Sequence, residues 1–133
     1  MKSLLTITAA VEAGTGVALA IAPSEVVRVL LGPPLDSPAS LVIARVLAAA
    51  VFSLGAACWL SRNDGRGLVR AMLLYNVGAV VVLGHARIGL GMTGIGLLPA
   101  ILLHTVRAAW CFATLGIGRR KVSPENSRHS VAP

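Results

Sequence analysis

A chain of 133 residues that is 56% hydrophobic and only 13% charged, with a mean hydropathy of +0.81, is too apolar for an ordinary soluble domain, whose charged share is about 25%. Its formal charge of +7 would suggest nucleic acid as a partner in a soluble protein, so the placement of the charges decides what they mean. A helix needs about 20 apolar residues to cross a hydrocarbon core of about 30 Å. Four such runs fit the length, so the expected fold is all-α, a four-transmembrane-helix bundle with the lipid bilayer as its solvent.

The first predicted span covers residues 4–22 and is closed by Pro23. Lys2, the apolar run and the small residues Ala18 and Ala20 also resemble a secretory signal with a cleavage site. Glu12 in the middle of the run, and a length beyond the usual 7 to 15 residues of a signal core, argue for retention, which an intact-mass comparison tests. In the connection that follows, Ser24 is positioned to cap a short helix on the membrane surface, before Gly32, Pro33 and Pro34. The second span, 39–60, is closed by Ser61, Arg62, Asn63, Asp64 and Gly65. The third, 68–86, has the shortest apolar middle, with Arg70 and His85 near its ends, where such side chains reach the interface. Gly89, Gly91 and Gly94 then spell GxGxxG, but a nucleotide fingerprint needs a preceding strand, and here the glycines join two spans and read as an external turn. The fourth span, 95–117, carries Pro99 in its first turns, where a missing N–H does least harm. Residues 119–133 form a basic tail rich in Ser and Pro, expected to be disordered.

Lys2, Arg62, Arg66, Arg70, Arg119, Arg120, Lys121 and Arg128 fall on one side of four spans, and only Arg28 and Arg87 on the other. The excess marks the cytoplasmic side, which places both termini there. The basic balance is therefore a topology signal, and no nucleic-acid partner is expected. Cys58 and Cys111 sit in apolar runs without CxxC spacing, which indicates neither a disulfide framework nor a metal site.

Five polar side chains lie inside the spans: Glu12, Arg45, Asn76, His104 and Arg107. Insertion of an ionised group at a helix centre costs about 2.5–3.5 kcal/mol, so such groups are paired, inward-facing or functional. His104, Arg107 and Cys111 follow i, i+3, i+7 spacing and share a face, as do Thr8, Glu12 and Thr15. A bundle is expected to gather all five around one site. Glu12 and His104 are the candidates for proton transfer, and Arg45, Asn76 and Arg107 for ligand binding. The plainer account is that Glu12 neutralises an arginine, Asn76 bridges helices and His104 finds an oxygen. One carboxylate cannot neutralise both Arg45 and Arg107, however, and an anionic or polarised, lipid-soluble small molecule would restore the balance.

Three functions stay open. The leading one is an accessory or binding subunit with a buried polar site, whose small-residue face of Ala9, Ala13 and Ala20 packs against a membrane-protein partner or a second copy. The others are an intramembrane enzyme of proton-transfer, isomerase or quinone-linked type acting on a lipid-soluble substrate, and a transporter of small solutes or protons. The residues do not decide whether the protein is an enzyme and assign no cofactor. Haem ligation by His104, with or without His85, is a further reading, against which His85 reads as interfacial.

Glu12 with Gly14 and Gly16, the run from Ala22 and Pro23 to Leu30, Leu31 and Gly32, Arg45, and Tyr75 with Asn76 together resemble the small bacterial DoxX-like membrane proteins and their four-helix relatives. The resemblance implies a four-helix bundle in the bacterial inner membrane and, in some relatives, association with quinone-linked oxidoreductases or other membrane complexes. No functional residue of that family is carried over to a position of this chain.

Overall fold

A computed structural model describes residues 1–63 and 65–120, with the side chains of 117–120 left out. Of the predicted tail, residues 119 and 120 continue the backbone of the last described helix, and residues 121–133 lie outside the described residues. Five helices follow in chain order: α1 Lys2–Ile21, α2 Pro23–Leu31, α3 Pro38–Leu60, α4 Arg66–Ile88 and α5 Leu97–Arg120. Four of them are long and apolar enough to cross a membrane, and the chain is an all-α, multi-pass membrane protein built as a four-helix bundle with α2 as a short extra element.

Local chemistry sets the breaks. α1 stops at Ile21 because Ala22 precedes a proline, which pushes it out of the helical region to φ −131°, ψ 61°. α2 then starts at Pro23 itself, with Ala22 as N-cap and no side-chain capping bond. Ser24 is thus inside the first turn rather than the cap expected for it, since a proline is preorganised for the first helical position. Gly32, at φ +105°, ends α2 with a conformation that L side chains resist. α3 opens on a reciprocal capping box between Ser37 and Ser40, with Pro38 in its first turn. α4 begins at Arg66 and ends at Ile88, two residues beyond the apolar run at each end, because the long arms of Arg66 and Arg87 can leave the hydrocarbon while their backbones stay helical.

α1 packs most extensively against α3, and α4 pairs with α5. Small residues permit the first approach. A Cβ on Gly55 would stand 2.6 Å from the Ala13 backbone nitrogen, and one on Gly16 would stand 2.7 Å from that of Phe52. Ala9, buried at this contact, and Ala13 therefore serve packing within the chain. The partner-facing surface expected of them is already occupied by α3, while Ala20 stays exposed.

Two apolar layers result. One, near the ends of α1 and α5 that carry the termini, holds Leu4, Leu5, Ala9, Cys58, Val69, Met72 and Cys111. The other, at the opposite end, holds Leu19, Ala44 and Ala48, covered by Val26 and Val27 of α2. Outward faces are apolar too: Val42, Ile43 and Val46 on α3, Val81 and Val82 on α4, and Leu102 and Val106 on α5 are all exposed, as a bilayer-facing surface requires.

Candidate functional site

Between the two apolar layers lies a polar one. Along axes rising 1.5 Å per residue, Glu12, Tyr75, Asn76, His104 and Arg107 each stand within about 5 Å of the middle of their spans. α1 contributes Glu12, α4 contributes Tyr75 and Asn76, and α5 contributes His104 and Arg107.

Glu12 Oε1 lies 2.6 Å from Arg107 Nη1, and the two residues are only 2% and 5% exposed. Charge is balanced by this contact, but hydrogen bonding is not. Beyond it, Arg107 Nε and Nη2 are buried without a hydrogen-bond partner, so most of the guanidinium's N–H groups are unmet. The other carboxylate oxygen, Oε2, accepts a long bond of 3.4 Å from the Tyr75 hydroxyl. The Tyr75 ring meets His104 edge-on, with centroids 5.6 Å apart at 80°, a favoured aromatic geometry.

Asn76 is fully buried and orients the imidazole. Its Nδ2 donates to the Met72 carbonyl at 2.6 Å. A carbonyl can only accept, so Oδ1 must be the atom that faces His104 Nδ1 at 2.8 Å. In the neutral ring the proton therefore sits on Nδ1, leaving the lone pair on Nε2.

A cavity of about 410 Å³ adjoins this network, within the range of roughly 300–1,000 Å³ typical of small-molecule sites. Glu12, Tyr75, His104 and Arg107 line it from the polar layer, Val11, Val26, Val29, Leu30 and Leu83 are among its apolar walls, and Glu25 of α2, paired with Arg28, also lines it. α2 roofs it, held by a bond from the Gly96 N–H to the Val29 carbonyl at 2.9 Å. Gly94 sits so close beneath Leu30 that a side chain there would meet the Leu30 backbone.

Four of the five polar residues singled out from the sequence thus come together, and the fifth does not. Arg45 is exposed on α3, because the buried stripe of that helix runs through Ala44, Ala48, Val51, Gly55 and Cys58 and places its neighbour about 100° away. Without Arg45 the site holds one carboxylate against one guanidinium. The excess positive charge expected there is absent, and the remaining demand is for hydrogen bonds. Tyr75 was outside the expected site; the signal was its position beside Asn76 in a span, as the chain's sole tyrosine. His85 is exposed near the end of α4, about two and a half turns beyond Asn76, the α4 residue that meets His104, and outside the cavity lining.

Comparison with known proteins returns no matching family model, no matching curated protein and no matching solved structure.

Proposed function

We propose that this chain is a small binding subunit of the membrane, which holds the polar head of a lipid-soluble molecule at mid-depth and its apolar body beneath α2. The observation that carries the reading is Arg107. Beyond the contact with Glu12, its Nε and Nη2 are buried with no hydrogen-bond partner next to a cavity that the residue lines, and a buried unsatisfied donor costs about 1–3 kcal/mol. An acceptor oxygen on a ligand would recover that energy once a shift of the side chain opens the guanidinium, closed to water as it stands, to the cavity. Since Glu12 already neutralises the guanidinium, the favoured head is polar and uncharged, the polarised ligand rather than the anionic one.

Native mass spectrometry of protein extracted gently from its own membrane tests this. A bound molecule of lipid size should accompany the wild type and be lost from Arg107→Leu/Glu12→Leu, a double replacement that leaves no charge stranded. An empty wild-type protein would count against the reading.

The same proposal places the chain in a bacterial inner membrane with both termini cytoplasmic, supported by the eight basic residues assigned to that side against two on the other. The DoxX-like resemblance would make it an accessory subunit of a larger complex. It rests on residues that include Glu12 and Tyr75, both members of the polar layer.

A further inference from the structure

Arg107 lines the cavity with its donors just beneath the wall, but the neighbouring imidazole supplies the opposite. Asn76 Oδ1 accepts a hydrogen bond from His104 Nδ1–H, and the Met72 carbonyl holds Asn76 in the orientation that allows this. Nε2 is then an acceptor, and among the described residues no side chain or backbone group donates to it. His104 is half-buried and lines the cavity together with Arg107, three residues further along the same face of α5. A ligand that only accepts, such as an ether or an ester, satisfies the guanidinium and leaves Nε2 bare. A ligand carrying an O–H satisfies both.

We infer that the site selects a hydroxyl-bearing amphiphile, an alcohol head on an apolar chain, whose oxygen accepts from Arg107 while its proton is donated to His104 Nε2. This rests on the cavity being a ligand site, as proposed above. It adds that His104 sets the specificity, and that Asn76 is a positioning residue acting through the tautomer.

Full-length protein in lipid nanodiscs, loaded with tritiated 1-dodecanol, tests both layers by competition, with every competitor expressed as mole fraction in the bilayer. 1-Methoxydodecane accepts without donating, and dodecane does neither. Unlabelled 1-dodecanol should displace the tracer at about tenfold lower mole fraction than the methyl ether, the factor expected for one hydrogen bond, and the ether should in turn outcompete dodecane. In His104→Asn, which keeps a donor for Asn76 but has no Nε2, the ratio of alcohol to ether affinity should collapse toward one, whatever the absolute affinity of either. Circular dichroism at wild-type helicity reports that the variant is folded. In ¹⁵N-histidine-labelled wild type, the His104 Nε2 resonance should shift with 1-dodecanol and stay fixed with the ether.

Equal displacement by alcohol and ether in the wild type, or an alcohol preference that survives in His104→Asn, overturns the hydroxyl requirement but leaves the acceptor site standing. No saturable binding, or dodecane competing as well as the ether, overturns both.

Discussion

At the scale of single residues, the Glu12–Arg107 pair is where the bilayer's low dielectric is felt most. Removing one member of a buried ion pair strands the other, at a typical cost of about 3–5 kcal/mol, whereas replacing both with apolar residues is often neutral. Glu12→Gln is therefore expected to destabilise the bundle by about that amount, and Glu12→Leu/Arg107→Leu to recover most of it, measured by reversible unfolding in mixed micelles. Arg45→Leu should change neither stability by more than about 0.5 kcal/mol nor binding of a cavity ligand, because the side chain faces outward. The five polar positions were legible in the sequence because charge in an apolar run stands out by itself. Arg45 was grouped with the others by depth, which composition reveals, whereas direction around the helix axis depends on the inward face. That face was written in the small residues Ala44, Ala48 and Gly55, which outrank a charge when two backbones must approach.

At the scale of elements, glycines divide by what surrounds them. Gly14, Gly67, Gly78 and Gly84 would meet nothing with an added Cβ, so alanine at Gly78 should be neutral or stabilise by up to about 1 kcal/mol through helix propensity. Gly55→Ala must instead separate α1 from α3, and overpacking of this kind costs about 1–3 kcal/mol. The thermal midpoints of the two variants should therefore move in opposite directions, or only the second should move. α2 offers a separate test. Gly94→Val would push against the Leu30 backbone and lift the roof of the cavity, so binding of 1-dodecanol should weaken while the four spans keep their stability. The short helix itself was foreseen between Pro23 and Gly32, but its role as a roof was not. A nine-residue amphipathic segment reads equally well as lying on lipid or on protein, and only the glycines of the distant 89–96 connection decide between them.

At the scale of the whole molecule, the span count followed from hydropathy, since backbone in hydrocarbon must satisfy its own hydrogen bonds. The pairing of spans did not follow, because four apolar helices can be arranged around a centre in several ways with the same composition. The orientation proposed from the basic residues is checked by a reporter fused after Pro133, which should be active only on the cytoplasmic side. The pairing that the fold adopts, α1 with α3 and α4 with α5, has a consequence for how the protein is made. Ribosomes deliver the first pair whole before any of α5 exists, and this pair contains Glu12 without its countercharge. The cation that balances it arrives about 95 residues later, roughly 5–20 s at the usual pace of synthesis. Until then the first helix carries an acid with no mate into a solvent that rejects it, so the nascent chain has reason to linger in the insertion machinery until α5 is complete.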